Sequence, residues 1–132
     1  MTSFLYVEDD TMSRQVLEIL LKKMLGYEQV ILFEDSTDFM SRLRALESRP
    51  DVIFLDIHME PHNGYEVLEM LRADPTYADQ CVVAMTAGVM ASDVELLQKA
   101  GFDGMIAKPI RKRAFPDLLE RILAGESVWF TS

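Results

Sequence analysis

The stretch PDVIFLD, residues 50–56, contains an apolar run, Val52–Leu55, that ends directly before Asp56. A strand with no alternation of polar and apolar residues is typical of a parallel sheet whose two faces are both covered. Other runs of this kind occur along the chain, and they are Phe4–Val7, Val30–Phe33, Cys81–Met85 and Met105–Ala107. The sequence therefore predicts five buried parallel strands.

Segments with helical spacing follow each of these runs. Met12, Val16 and Ile19 share one face of the first segment, and Ser36 is a candidate N-cap for the second. Because strand and helix alternate five times, right-handed crossovers place helices on both faces of the sheet. We expect an α/β fold, a doubly wound (βα)5 sandwich around a five-stranded parallel sheet.

Composition limits the function classes. The 132 residues suit one domain, and 22 acidic against 13 basic residues give a net charge of −9. That charge argues against DNA binding, which needs a clustered excess of base. The single cysteine, Cys81, cannot form an internal disulfide. Since no apolar run reaches ~18 residues and the N-terminus lacks a basic segment, we expect a cytoplasmic protein without membrane contact.

Chemically active residue types stand at the predicted strand ends. Glu8 and Asp9 follow the first strand, Asp56 the third, Thr86 the fourth and Lys108 the fifth. Ligands of such sheets bind at the carboxyl ends of the strands. Two carboxylates ~4 Å apart repel by about 4 kcal/mol at a dielectric constant of 20, so a converging cluster favours a bound cation. An all-oxygen site suits Mg²⁺; the alternative is that these acids are ordinary solvated loop residues.

The same residues make a set for phosphoryl transfer. The Asp56 carboxylate can attack phosphorus and form an acyl phosphate, with a metal ion to screen the incoming charge. Lys108 and the Thr86 hydroxyl can hold the remaining phosphoryl oxygens. The sequence therefore predicts phosphorylation of an aspartate.

Four short motifs carry a family resemblance. They are VEDD at 7–10, with Arg14 after it, PDVIFLD at 50–56, MTA at 85–87 and AKP at 107–109. Asp56 precedes Thr86 by 30 positions and Lys108 by 52. Residues 3–124 thus resemble the receiver domain of response regulators, the phosphoacceptor of two-component signalling. The resemblance implies a flavodoxin-like fold with strand order 2-1-3-4-5, and leaves residues 125–132 as a short C-terminal tail.

The resemblance also implies how the site would work. Asp56 would accept a phosphoryl group from the phosphohistidine of a sensor histidine kinase or a histidine phosphotransfer protein. Mg²⁺ would be ligated by Asp9, Asp56 and the backbone carbonyl of His58, with Glu8 as a further ligand, directly or through water. The domain would catalyse only its own phosphorylation and dephosphorylation. It would switch a face that binds a downstream protein, with no output domain in this chain.

Switching roles follow from the same resemblance. Thr86 and Lys108 would bind the phosphoryl oxygens, and Thr86 would couple phosphorylation to the surface. Gly88 would line the approach of the hydrolytic water, and His58 would lie beside the phosphoryl group. Met105 stands where the family often has Tyr or Phe with an in-or-out rotamer. We therefore expect a switch without an aromatic gate, since a thioether fills space adaptably.

Three features leave alternatives open. Glu60 stands where the family often has proline, Pro61 follows it, and we expect the Glu60 side chain to point to solvent. Trp129 and Phe130 in the tail either cover a sheet edge, contact a partner or are disordered. A homodimer through the face of the fourth helix, fifth strand and fifth helix is compatible with the family.

Two other functions fit less well. An aspartyl-phosphate phosphatase usually has a second acid two residues after the nucleophile, and here that residue is His58. A receiver that serves for binding alone would lack a reactive residue, whereas Asp9, Asp56, Thr86 and Lys108 are all present. A phosphoacceptor module is therefore the favoured interpretation.

Overall fold

The computed structural model describes residues 1–87 and 90–131, apart from the side chain of Ala91. A parallel sheet forms the centre of the fold. Its six strands lie in the order β2-β1-β3-β4-β5-β6. They are β1 (Ser3–Val7), β2 (Gln29–Phe33), β3 (Val52–Asp56), β4 (Cys81–Thr86), β5 (Gly104–Ala107) and β6 (Trp129–Phe130). The five predicted strands and their order 2-1-3-4-5 are confirmed. The count of five is corrected, because the tail supplies a sixth strand.

Helices cover both faces of the sheet, as predicted for a doubly wound fold. They are α1 (Thr11–Ile19), which continues as a π-helical turn (Leu20–Met24), α2 (Phe39–Arg44), α3 (Gly64–Ala73), α4 (Ala91–Ala100) and α5 (Phe115–Leu123). Within the described parts of the chain, every helix is too short or too polar to cross a membrane.

Two hydrophobic cores lie on opposite faces. The α3 core contains Leu68 and Leu97, from α3 and α4, and takes Leu5 from β1. The α1 core contains Leu17 from α1 and takes Tyr6 from β1. Neighbouring residues of one strand enter different cores because side chains alternate across a sheet. The unbroken apolar runs of the sequence are explained by this double burial.

Ser36 does not cap α2, so that prediction is wrong. The helix begins at Phe39, and its N-cap residue is Asp38, which has φ of 48°. The buried Ser36 hydroxyl donates to the carbonyl oxygen of His62 at 2.6 Å and accepts from the His62 N–H at 2.8 Å. The serine therefore ties the loop after β2 to the loop after β3, a contact across 26 positions that no local pattern reveals.

The C-terminal tail forms the sixth strand at the edge of the sheet. Gly125, with φ of +90°, turns the chain back after α5. The Met105 N–H donates to the carbonyl oxygen of Val128 at 2.7 Å, and β6 then pairs in parallel with β5. Of the alternatives left open for Trp129 and Phe130, coverage of a sheet edge is the one that the structure shows.

Close approach of the tail depends on Gly104. A Cβ atom built on Gly104 would lie 2.7 Å from the carbonyl oxygen of Val128, a backbone atom that cannot move alone. Trp129 packs against the α3 core and Phe130 against the α1 core. The two aromatic side chains therefore straddle the edge of the sheet.

Replacement of Gly104 with alanine should displace the tail. Val128 is 2% exposed, and loss of its burial should lower the free energy of unfolding by about 1–3 kcal/mol. Trp129 is the one tryptophan of the chain, so its fluorescence reports on the tail directly. We expect Gly104→Ala to shift the emission maximum to longer wavelength and to lower the urea midpoint.

Ala100→Ser, at the exposed end of α4, is the control for Gly104→Ala, because it adds one atom where there is space. It should leave the emission maximum in place. An unshifted maximum in folded Gly104→Ala would contradict the tight packing of the tail on β5.

Candidate functional site

The carboxyl ends of four strands bring the predicted site residues together. Glu8 follows β1, Asp56 ends β3, Thr86 ends β4 and Lys108 follows β5. Ligand oxygens of Glu8, Asp9 and Asp56, hereafter the carboxylate cluster, all lie within 4.8 Å of one another. The alternative that these acids are ordinary solvated loop residues is therefore wrong for Glu8 and Asp56, which are buried.

Glu8 is fully buried and held at every polar atom of its side chain. Its Oε1 accepts from the Tyr6 hydroxyl at 2.7 Å and from the Lys108 ammonium at 2.8 Å. Its Oε2 accepts from the Asp10 N–H at 3.3 Å. The Arg14 guanidinium donates to the backbone carbonyl of Glu8 at 2.6 Å. The end of β1 is thus fixed by its own side chains as well as by the sheet.

Lys108 bridges two carboxylates. Its Nζ lies 3.2 Å from Asp56 Oδ1 as well as 2.8 Å from Glu8 Oε1, and its side chain is 18% exposed. The Lys108 N–H donates to the carbonyl oxygen of Thr86 at 2.8 Å, which fixes the backbone beside β4. A cation therefore lies beside the Asp56 carboxylate, which the sequence analysis predicts to be the nucleophile.

Protonation in the site follows burial and charge. Burial, then the neighbouring Glu8, raises the pKa of Asp56, and the same two causes raise the pKa of Asp9. Burial opposes ionisation of Glu8, but hydrogen bonds with Asp56, Lys108 and Tyr6 outweigh it and lower the pKa of Glu8. Burial also disfavours the charged Lys108, but the two carboxylates raise its pKa. Asp9 and Asp56 therefore keep their protons to a higher pH than an exposed aspartate does.

This donor set fits Mg²⁺. The ion prefers carboxylate oxygens in a partly hydrated site, and Asp9 is exposed beside two buried carboxylates. Lys108 pairs with Glu8 and Asp56, and Asp9 adds a third carboxylate, so the ionised cluster carries more negative than positive charge. A divalent cation would compensate this excess.

Other predicted residues lie around the cluster. The His58 side chain is exposed, while its backbone N–H lies 3.4 Å from Asp56 Oδ1. Glu60 is exposed, as expected, and its peptide bond to Pro61 is cis. The hydroxyl of Thr86 lies 3.4 Å from the carbonyl oxygen of Ala87. Gly88 lies outside the described residues.

Met105 is fully buried in the α3 core, between Ala84 of β4 and Trp129 of β6. An aromatic side chain therefore does lie beside this position, although it comes from the tail. The residue type at position 105 could not predict this neighbour, because the neighbour depends on where the C-terminal tail packs. The sequence analysis did not name Tyr6 as a residue of the site. The one signal in the sequence is its spacing of two from Glu8, which places both side chains on the same side of β1.

Comparisons with known proteins agree with this geometry. The family model of the response regulator receiver domain matches residues 4–121. The polar-differentiation response regulator DivK of Brucella anthropi is 30% identical over 121 residues, which cover 92% of this chain and 95% of DivK. Stress response regulator protein 1 of Lodderomyces elongisporus is 30% identical over 107 residues, 81% of this chain. The match covers only 29% of that fungal protein.

A solved structure shows the same fold. It is the receiver domain of a sensor histidine kinase from Pseudomonas aeruginosa, with a magnesium ion coordinated in its active-site cleft. The TM-score is 0.78 at 26% identity, with 93% of this chain and 98% of that one covered. Fold, motifs and family match agree, and this chain belongs to the response regulator receiver domains of two-component systems.

Proposed function

We propose that this receiver domain accepts a phosphoryl group on Asp56 in a Mg²⁺-dependent reaction. The observation that carries the proposal is the position of Asp56: buried at the end of β3, 3.2 Å from the Lys108 ammonium and within the carboxylate cluster. Residues 3–124 are the receiver unit in this proposal, and residues 125–132 add an edge strand to it.

The metal ligands would be Asp9, Asp56 and the backbone carbonyl of His58. Both oxygens of Glu8 already accept protein donors, which supports a contact through water for this residue. Bound Mg²⁺ supplies positive charge that screens the incoming phosphoryl group. The Lys108 ammonium, 3.2 Å from Oδ1, holds the Asp56 carboxylate in place for attack.

The reaction needs little beyond positioning. An oxygen of Asp56 attacks phosphorus, an O–P bond forms as the N–P bond of the donor breaks, and the donor imidazole leaves with the electron pair. Lys108 holds one phosphoryl oxygen and the Thr86 hydroxyl another. The domain thus catalyses its own phosphorylation and dephosphorylation and has no other substrate.

A phosphohistidine donor would dock beside α1. A groove of about 290 Å³ opens next to the site. Its lining combines apolar residues with two lysines and a serine, and consists of Met12, Ser13, Val16, Lys108, Pro109, Ile110 and Lys112. Since Lys108 belongs to both groove and site, a donor seated here would reach Asp56. This supports a sensor histidine kinase or a histidine phosphotransfer protein as the partner. The proposed reaction takes place in the cytoplasm.

Output would pass through the other side of the site. Thr86 ends β4 directly before the loop to α4, so a new bond from its hydroxyl to the phosphoryl group would draw that loop inward. A downstream protein would read the change on α4. A homodimer through α4, β5 and α5 would have to accommodate β6, which covers the edge of β5.

Asp56→Asn should abolish phosphorylation. Incubation of the parent with phosphoramidate and Mg²⁺ should add one phosphoryl group, seen by intact-protein mass spectrometry, because the small donor bypasses the kinase. Asp10→Asn is the matched control: Asp10 is exposed and caps α1, and asparagine caps a helix equally well. Unchanged mass gain in Asp56→Asn would show that another residue is the acceptor.

Mg²⁺ should stabilise the unphosphorylated protein. An ion that binds only the folded state stabilises it by about 2.7 kcal/mol at 100 times its dissociation constant. Millimolar Mg²⁺ should therefore raise the melting temperature of the parent and of Asp10→Asn, and should have little effect on Asp9→Asn. A parent melting curve that ignores Mg²⁺ would count against the metal site.

Without metal, stability should fall as the pH rises towards neutrality. Burial and Glu8 raise the pKa of Asp56 from 3.8 to about 7, so the folded state binds this proton more tightly than the unfolded state. The stabilisation is present below pH 3.8 and is lost as the pH passes about 7. The Asp56 contribution to the slope is at most about 1.4 kcal/mol per pH unit.

Urea unfolding at a series of pH values, with a chelator present, measures this slope. Asp56→Asn should lack the Asp56 contribution and should be more stable than the parent at pH 8. The slope is read between about pH 6 and pH 8, because Glu8 has an ordinary pKa of 4.5 and a lower pKa in the folded state, and is therefore ionised in both states over that range. Parallel pH profiles for the parent and Asp56→Asn would refute the assignment.

A further inference from the structure

The Tyr6 hydroxyl is a buried polar group next to the site, with no part in the mechanism described so far. Tyr6 is 0% exposed, and its ring packs edge-to-face on Phe54 with 6.4 Å between ring centroids. Its hydroxyl reaches out of the α1 core and donates to Glu8 Oε1 at 2.7 Å. A phenylalanine would fill the same core space, so packing alone does not require the hydroxyl.

We propose that Tyr6 is a positioning residue that holds the Lys108 ammonium against Asp56 by fixing the carboxylate of Glu8. The proposal rests on the proposed function, since it assigns the placement of a group that acts on the phosphoryl oxygens. Tyr6 itself touches neither Asp56 nor the reacting atoms in this scheme.

A chain of short contacts carries the inference. The Tyr6 hydroxyl and the Lys108 ammonium both donate to the same oxygen, Glu8 Oε1, at 2.7 and 2.8 Å. The ammonium then reaches Asp56 Oδ1 at 3.2 Å. The rigid ring of Tyr6 is fixed by the core, whereas Glu8 and Lys108 are long side chains. The ring therefore supplies the fixed end of the chain.

Within the described part of the chain, and apart from the bonds with Tyr6 and with Lys108 and Asp56, whose positions are in question, the other hydrogen bonds of Glu8 involve atoms other than Oε1. The Asp10 N–H reaches the other oxygen, Oε2, at the longer distance of 3.3 Å. The bonds from Glu8 N–H to Phe33 and from Arg14 to the Glu8 carbonyl hold the backbone, not the carboxylate. Without the Tyr6 hydroxyl, the carboxylate regains rotation about its terminal bonds, and Lys108 moves with it.

The expected consequence is a slower reaction with an unchanged metal site. Tyr6→Phe should slow phosphorylation by phosphoramidate by about tenfold, the usual effect of a lost hydrogen bond to a charged positioning group. The dissociation constant of Mg²⁺ should change by less than about twofold, because the direct ligands Asp9 and Asp56 are not moved and Glu8 contacts the ion only through water. A slower rate with unchanged Mg²⁺ affinity would distinguish loss of positioning from a general disruption of the site.

Tyr77→Phe is the matched control, because Tyr77 is also buried, at 7% exposure, and lies after α3, away from the carboxylate cluster. Rates are measured at saturating Mg²⁺, and Mg²⁺ binding by thermal-shift titration. The ¹⁵N signal of the Lys108 ammonium is recorded without any donor. This signal should be sharp in the parent and in Tyr77→Phe, and broadened by solvent exchange in Tyr6→Phe.

A double-mutant cycle tests whether Tyr6 acts through Glu8. In a Glu8→Gln background, Tyr6→Phe should cause no further slowing, because the carboxylate that it fixes is already gone. If Tyr6→Phe does not fold, Glu8→Gln becomes the test of the proposal. This variant must broaden the signal of the Lys108 ammonium while Tyr6 stays buried.

Three results would overturn the proposal. They are a rate in Tyr6→Phe equal to that in Tyr77→Phe, equal slowing with and without Glu8→Gln, and a Lys108 signal that stays sharp. A parent that accepts no phosphoryl group would instead refute the proposed function. The Lys108 signal would still decide the position of the ammonium, since it requires no donor.

Discussion

A single ammonium group, that of Lys108, holds two buried carboxylates together at the end of the sheet. It joins residues that lie 100 and 52 positions away in the sequence, Glu8 and Asp56. Buried charges cost several kcal/mol each unless they are paired, so the ends of β1, β3 and β5 have to stay in register. Strand order, the apolar runs and the two cores are what keep them there.

The site is nevertheless left unbalanced. Lys108 pairs with Glu8 and Asp56 while Asp9 adds a third carboxylate to the cluster, and burial together with Glu8 raises the pKa of Asp56. Evolution would remove this repulsion if stability alone mattered, because an asparagine or a leucine would fit a buried strand end at lower cost. In the function proposed above, the excess charge is the property that would make the site responsive to a cation and to a phosphoryl group.

The local sequence pattern was sufficient to predict the strands and helices that alternate along the chain. The strands and the convergence of Glu8, Asp56, Thr86 and Lys108 follow from apolar runs and from the geometry of parallel sheets, whereas the strand order was implied by the family resemblance. Contacts between distant segments were missed, because they depend on side-chain reach. Ser36 bonds a loop 26 positions away instead of capping its helix.

The coverage of the β5 edge by β6 also affects whether copies of this chain associate in solution. An open edge strand presents a row of unpaired N–H and C=O groups that templates pairing with another molecule. Without residues 125–132, the apolar strand Gly104–Ala107 would present such a row. The tail occupies it with a strand of two residues, which offers little length for further pairing. The tail therefore acts against aggregation, and a shortened chain would lose this protection.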